Sequence, residues 1–160
     1  MTAGKGESMK TIDMSAQMQA LRDTYRDDPH HRQAFLQEAS VLWGGSPNDA
    51  GVLPATSKMV VNVGSCSGEI KFAETEKGYW LIGINAQSSY SGVSYSPSVY
   101  DHIGYKSYED AYVAGVNKLC TFFSRVIEDK SSTNSHVSRV NAERALQSLR
   151  AKQNPQLKLF

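Results

Sequence analysis

The hydrophobic pattern of the chain changes its period twice, and this limits the folds that the chain can adopt. Apolar residues recur at helical spacing before residue 44, fall into short extended runs separated by glycine between residues 58 and 105, and return to helical spacing after residue 107. Helices followed by strands and then by helices indicate an α+β fold. The sequence therefore predicts a small antiparallel sheet of three to four strands, packed by a long helix and flanked by N-terminal helices and a C-terminal helix.

The extended runs have the length of ordinary strands. Three of them are expected at 59–63, 69–75 and 79–85. Turns at 64–68 and 76–78 separate them, so a three-stranded meander is expected. Residues 86–98 are rich in Ser, Tyr and Gly and are predicted to form a long excursion, after which 99–105 could return as a fourth strand.

Helix-end signals accompany the helical segments. Asp28 and Pro29 form an N-cap and first-turn pair, and Gly44 with Gly45 marks the end of the same helix. Ser107 is predicted to cap the longest helix. The apolar positions of that helix are Tyr112, Val116, Leu119, Cys120, Phe123, Val126 and Ile127. A last, weakly apolar and basic helix is predicted over 140–152.

Composition narrows the class of protein. The chain has 160 residues, of which 40% are apolar and 21% are charged, as in a globular protein of one domain. The formal charge of +1 excludes a strongly basic nucleic-acid coat and a strongly acidic DNA mimic. Any contact with nucleic acid therefore requires a local patch.

The predicted organisation is a loose leader at 1–10, a single α+β domain at 11–129, a linker with the C-terminal helix at 130–155, and a tail at 156–160. Cys66 and Cys120 are far apart in sequence, which favours free thiols and a cytoplasmic location. No apolar run reaches membrane-spanning length, so no membrane partner is expected.

No residue pattern predicts a catalytic, metal or cofactor site. The segment 64–68 has Cys66 at the centre of a nucleophile-elbow spacing, but it separates two short strands, so a hairpin turn is the better interpretation. His30 and His31 are adjacent and would point about 100° apart on a helix, which favours a solvated helix start over a metal site. We therefore expect a protein that is not an enzyme.

Tyrosines in and near the Ser-rich excursion could form a second interface. Exposed aromatic rings stack on unpaired bases or anchor protein contacts, and Tyr90, Tyr95 and Tyr100 are the candidates. Ordinary core packing is the alternative for these rings. A possible nucleic-acid contact comes from the basic residues of the last helix, although such a face is often only solvated. These residues are Arg139, Arg144, Arg150 and Lys152.

The tail ends in large apolar side chains after a polar stretch. It reads Gln156, Leu157, Lys158, Leu159 and Phe160. This pentapeptide resembles the sliding-clamp-binding motif of bacterial replication and repair proteins, in which a Gln is followed by Leu, a variable residue, Leu and Phe. The resemblance implies that Gln156, Leu157, Leu159 and Phe160 bind the bacterial DNA polymerase sliding clamp. The alternative is that Leu159 and Phe160 fold back into the protein's own core.

The segment 78–128, a hairpin followed by a helix, resembles small β-β-α modules of phage and plasmid accessory proteins. Together these resemblances imply a non-enzymatic accessory protein of DNA replication or repair, carried by a phage or mobile element, that recruits or competes with other clamp clients. DNA or a second protein would be a further partner. The alternative function is an anti-defence inhibitor, of the anti-CRISPR or anti-restriction type, that acts by protein–protein binding.

Overall fold

The computed structural model describes residues 9–25, 28–131 and 133–153. In this part of the chain it contains four α-helices and a six-stranded antiparallel sheet, so the predicted α+β class is confirmed. The helices are α1 Ser15–Tyr25, α2 Arg32–Trp43, α3 Tyr108–Glu128 and α4 His136–Gln153. The strands are β1 Thr11–Asp13, β2 Thr56–Val63, β3 Cys66–Glu74, β4 Trp80–Gln87, β5 Gly92–Tyr95 and β6 Ile103–Tyr105.

The second helix ends at the predicted glycine, but it begins at Arg32, and the predicted Asp28 cap serves the 3-10 turn that precedes it. Asp28 Oδ1 accepts a hydrogen bond of 2.9 Å from the backbone N–H of His30, and Pro29 opens a 3-10 turn that leads into α2. Gly44 follows the last residue of α2 with a φ of 76°, a left-handed conformation that favours glycine. Its N–H donates to the Ser40 carbonyl oxygen, which helps to close the helix.

The two C-terminal helices are capped by serine. Ser107 Oγ accepts a hydrogen bond of 3.1 Å from the Asp110 N–H, which confirms the predicted start of α3. The predicted apolar positions that are buried are Val116, Leu119, Cys120, Phe123 and Val126. Helix α4 begins at His136, earlier than the predicted residue 140. Ser135 Oγ accepts a hydrogen bond from the Ser138 N–H, which supplies a cap inside a segment predicted to be a linker.

The sheet has the strand order β1-β6-β4-β3-β2, and β5 also pairs with β4. Tyr105 of β6 is opposite Thr11 of β1 and also opposite Trp80 of β4. At the other end of β4, Ile84 is opposite Tyr95 of β5. The three predicted meander strands correspond to β2, β3 and β4, and the predicted fourth strand is the shorter β6.

The expected size of the sheet, three to four strands, was too small. The sequence-based prediction omitted β1 and β5, because neither has an apolar alternation that marks a strand. Strand β1 has only three residues, and pairing with the distant β6 holds it. Every residue of β5 is exposed, and the strand lies in the segment predicted to be an excursion. Backbone pairing with a partner strand, which local sequence does not encode, defines both strands.

The chain divides into two compact units. The first comprises the chain up to Thr56, Phe72–Ile82 and Ser96–Ala111, and the second comprises Ser57–Lys71, Gly83–Tyr95 and the chain from Tyr112 onward. The first unit has a hydrophobic core of Met14, Met18, Leu36, Ala39, Trp43, Leu53, Ala73, Leu81 and Val99. Large buried residues of the second unit include Ile70, Leu119, Phe123 and Leu149.

Candidate functional site

A cleft in the first unit, here called the aromatic cleft, combines aromatic rings with charged side chains. Its volume is about 510 Å³. It is lined by Arg22 and Tyr25 of α1, Asp28, Pro29 and His31 of the 3-10 turn, Arg32 and Phe35 of α2, and Tyr100 of the loop before β6. Small-molecule sites commonly enclose about 300–1,000 Å³. The aromatic cleft therefore has room for a ligand of that size.

The rings of the aromatic cleft form a connected row. Tyr25 and Phe35 are stacked at 29° with ring centroids 6.1 Å apart, and Tyr100 meets Phe35 edge-on at 5.3 Å. The His31 ring lies 5.7 Å from that of Tyr25. Phe35 and Tyr100 also pack against the hydrophobic core of the unit. The core therefore holds part of the row in place, while the half-buried rings also line the cleft.

The charged groups of the aromatic cleft favour an anion. Asp28 has both carboxylate oxygens engaged, because Oδ1 accepts the His30 N–H and Oδ2 lies 3.3 Å from His31 Nδ1. Within 9–25, 28–131 and 133–153, Arg22 and Arg32 make no ion pair with a carboxylate. Both guanidinium groups are exposed, and each can attract a ligand of opposite charge.

The loop that carries Tyr100 is held by hydrogen bonds and by close packing. The Tyr100 N–H donates to Ser98 Oγ at 3.0 Å, and the Ser98 N–H donates to Asp101 Oδ2 at 3.1 Å. Trp43 Nε1 donates to the Asp101 carbonyl oxygen at 3.0 Å. Gly51, with a φ of 85°, leaves no room for a Cβ against the Tyr100 ring. These contacts position the ring before any ligand arrives.

The environment of the Tyr100 hydroxyl reflects both burial and charge. Burial raises the pKa of the Tyr100 phenol, and the nearby Arg32 guanidinium offsets part of that rise. The phenol is therefore protonated at neutral pH and can act as a hydrogen-bond donor beside a cation.

The structure places the three tyrosines predicted as a second interface in different surroundings. The hydroxyl of Tyr90, in the turn after β4, donates a hydrogen bond to Asp129 Oδ2 after the end of α3. Tyr95 lies in β5 and is 40% exposed. Tyr100 belongs to the aromatic cleft. Tyr90 and Tyr95 lie in the second unit and Tyr100 lies in the first, so the tyrosines are distributed over both.

The four basic residues predicted as a nucleic-acid contact do not share one face of α4. At about 100° per residue, Arg139 and Arg150 lie about 20° apart around the axis, while Arg144 and Lys152 each lie about 140° from Arg139. Arg139 Nη1 donates to the Asn134 carbonyl oxygen at 2.7 Å, and Lys152 Nζ donates to the Val60 carbonyl oxygen. Two of these side chains therefore make internal contacts, and Arg144 and Arg150 are exposed.

The cysteine-centred segment forms the predicted hairpin turn. Gly64 and Ser65 connect β2 to β3, and Cys66 is the first residue of β3. Cys66 and Cys120 are both buried free thiols. Within the described residues, no group of three or more His, Cys, Asp or Glu side chains could hold a metal ion. In the same part of the chain, no helix is long and apolar enough to cross a membrane.

Sequence reasoning missed most of the aromatic cleft. Tyr25 and Phe35 belong to the apolar residues that recur at helical spacing before residue 44, and His31 was assigned to a solvated helix start. Arg22 and Arg32 were not selected. The available signal was the short spacing of aromatic and arginine residues on both sides of the Asp28-Pro29 pair. The tail motif, Gln156, Leu157, Leu159 and Phe160, lies outside the described residues.

Comparison with known proteins found no match among protein-family models, curated proteins or solved structures.

Proposed function

We propose that this protein is a non-enzymatic accessory protein of DNA replication or repair that the bacterial sliding clamp recruits through the C-terminal motif. The single observation that carries the proposal is the sequence of residues 156–160, in which all four specified positions of the clamp-binding pattern are filled. The motif begins three positions after Gln153, the last residue of α4.

The chemistry of the motif fits a short, reversible contact. Leu157, Leu159 and Phe160 would each contribute roughly 1.5–3 kcal/mol on full burial in a clamp pocket. Ordering the segment on binding opposes this by about 2–5 kcal/mol. The remainder is at most about 7 kcal/mol, which corresponds to a dissociation constant of about 10 μM or weaker. Gln156 carries an amide that can both donate and accept, and this amide would fix the register of the peptide in the pocket.

Binding to purified sliding clamp tests the proposal. Isothermal titration calorimetry of the full chain is compared with the double variant Leu159→Ala/Phe160→Ala and with Lys158→Ala. The double variant should lose binding, because two of the three apolar anchors are removed. The Lys158→Ala variant is the matched control, since position 158 is the variable position of the motif, and it should bind like the wild type. Absence of binding by the intact protein would exclude the clamp as its partner.

Occupation of a shared clamp pocket also predicts competition. A polymerase-derived peptide that carries the same kind of motif should displace the protein from the clamp, because both would use one pocket per clamp subunit. A competition titration measures this directly. Simultaneous binding of the peptide and the protein would place the protein elsewhere on the clamp and would contradict binding through the C-terminal motif.

The alternative, an anti-defence inhibitor that binds a nuclease or regulator, is favoured by one feature of the second unit. Val93 and Tyr95 are 37% and 40% exposed and are two positions apart on β5, so both point to the same face of the strand. Apolar and aromatic side chains of this kind often anchor protein interfaces. If the double variant Val93→Ser/Tyr95→Ser abolishes biological activity and Leu159→Ala/Phe160→Ala does not, the alternative replaces the clamp proposal.

A further inference from the structure

We propose that the aromatic cleft binds one nucleotide unit of a single-stranded nucleic acid, with the base against the ring row of Tyr25, Phe35 and Tyr100 and the phosphate between Arg22 and Arg32. This inference does not depend on the tail, because every residue that it uses lies in the first unit. It can therefore fail while the clamp proposal stands, and the reverse is also true.

The ring row supplies a stacking surface that is already in place. The Tyr25 and Phe35 rings are stacked with their planes inclined by 29°, and Tyr100 closes the row edge-on at 5.3 Å from Phe35. Stacking of a base on an aromatic side chain tolerates any base, because each base has a π face. Phe35 and Tyr100 are fixed against the core, so little side-chain freedom is lost on binding. The cleft should therefore accept an unpaired base with little sequence preference.

The arginines supply the anion site. Arg22 and Arg32 are both exposed and both line the cleft. A guanidinium group can donate two parallel hydrogen bonds to a phosphate, which makes arginine well suited to a phosphodiester. Asp28, the one carboxylate among the lining residues that the structure describes, is directed to His30 and His31, which reduces its repulsion of a phosphate.

The exposed rim of the aromatic cleft favours a single strand over a duplex. The residues that form the rim, Arg22, Pro29, His31 and Arg32, are exposed, so a chain could enter and leave the cleft on either side of one bound nucleotide. In a duplex the base faces are stacked on one another and cannot reach the rings without extrusion of a nucleotide. A peptide that carries phosphotyrosine offers one ring and one phosphate, and it is the competing occupant that the experiment must exclude.

The experiment is fluorescence polarisation of a short fluorescein-labelled oligothymidine with the full chain. The variant Arg22→Gln/Arg32→Gln should weaken binding about ten- to hundredfold, because charge-assisted hydrogen bonds to phosphate are lost. The slope of affinity against salt should also fall by about 0.7 for each phosphate contact removed. Tyr25→Ala should weaken binding about five- to hundredfold through lost stacking, with the salt slope unchanged.

The matched control is Lys118→Gln/Arg125→Gln, which removes two exposed positive charges of α3 outside the cleft. This control should bind like the wild type, and an equal loss in both double variants would overturn the proposal by showing that only overall charge matters. Thermal unfolding checks that each variant folds. If Tyr25→Ala does not unfold cooperatively, Tyr25→Leu keeps an apolar side chain there and should show the same loss of affinity.

Competition experiments identify the occupant. Unlabelled oligothymidine should displace the probe, and thymidine 5′-monophosphate should displace it at higher concentration, since it offers a single nucleotide unit. A phosphotyrosine peptide that displaces the probe at lower concentration than oligothymidine would overturn the assignment to nucleic acid. Equal competition by a duplex of the same length would overturn the stacking geometry. The tail variant Leu159→Ala/Phe160→Ala should bind the probe normally.

Discussion

The Tyr90 hydroxyl donates a hydrogen bond to the Asp129 carboxylate, which ties the turn between β4 and β5 to the segment that follows α3. The same turn makes a second contact in this region, because Ser89 Oγ donates to Ser138 Oγ of α4. Asp129 Oδ1 also accepts the Ser131 N–H at 2.8 Å. Asp129 thus links the hairpin turn to the connection between the two C-terminal helices.

Tyr90→Phe should destabilise the second unit in a pH-dependent way. The Tyr90 hydrogen bond and the hydrogen bonds from Ser131 hold the pKa of the Asp129 carboxyl below its usual value. A lowered pKa in the folded state contributes stability above the unfolded-state pKa, about 3.9 for Asp, and this contribution is lost as the pH falls through the folded-state value. The free energy of unfolding should therefore be lower in the variant at neutral pH, and the two proteins should converge in acid.

Urea unfolding at neutral and acidic pH measures this difference, and NMR titration of the Asp129 carboxyl should show its pKa rising in Tyr90→Phe. Tyr112→Phe serves as a control, because it removes a tyrosine hydroxyl of the same unit that does not contact Asp129. A stability difference that stays constant with pH would show that Tyr90 acts through packing and not through the carboxylate.

Trp43→Phe should strongly destabilise the first unit. Trp43 is fully buried, and its Nε1 donates to the Asp101 carbonyl oxygen at 3.0 Å. The substitution leaves this carbonyl without its donor and leaves a void in the core. The free energy of unfolding should fall by roughly 2–4 kcal/mol. Chemical denaturation followed by circular dichroism measures the loss.

The control for this change is Val41→Ala on the same helix, because Val41 is 71% exposed. It should change stability by no more than about 0.5 kcal/mol. A similar loss in both variants would mean that α2 is sensitive to any truncation. The loss in Trp43→Phe could then not be assigned to the buried hydrogen bond.

The sequence predicted those parts of the fold that short-range interactions determine. The caps at Asp28 and Ser107 and the glycine end of α2 at Gly44 each depend on a few neighbouring residues, and each is confirmed. Strand β1 was missed because it forms only through pairing with β6, and the paired residues Thr11 and Tyr105 are far apart in sequence. Local patterns do not contain that information.

The aromatic cleft was missed for the same physical reason. Tyr25 and Phe35 fit the apolar stripes of their own helices, and nothing nearby in sequence indicates a partner. Only the folded chain brings the loop with Tyr100 against Phe35. Tyr100 was selected in advance because it lies in a tyrosine-rich region, but its ring lies in the first unit, whereas Tyr90 and Tyr95 belong to the second.

The two cysteines should react slowly with thiol reagents. Burial raises the pKa of both the Cys66 and the Cys120 thiols, and Arg150 offsets part of the rise at Cys120. The raised pKa means that the folded protein favours the neutral thiol. The resulting contribution to the free energy of unfolding is present below the unfolded-state pKa of about 8.5 and is lost as the pH rises through the folded-state pKa. Stability should therefore decline in alkaline solution.

Labelling with a chromogenic disulfide checks this expectation. Both thiols should react more slowly than a free cysteine peptide, and urea should accelerate the reaction. Cys120 should react before Cys66, and single Cys→Ala variants assign the two phases. Rapid labelling of both thiols in native buffer would contradict their burial.

Gly51→Ala should cost more stability than Gly78→Ala, although both glycines have a left-handed backbone conformation that disfavours alanine to a similar degree. Gly51 has a φ of 85° and Gly78 has a φ of 81°, so alanine at either position is disfavoured by about 1–3 kcal/mol. A Cβ at Gly51 would also lie 2.8 Å from Cδ2 of Tyr100, whereas a Cβ at Gly78 meets nothing within 4 Å. The difference between the two variants in the free energy of unfolding therefore measures the cost of displacing the Tyr100 ring. Equal losses would mean that the ring moves freely, and Tyr100 would then not be a fixed wall of the aromatic cleft.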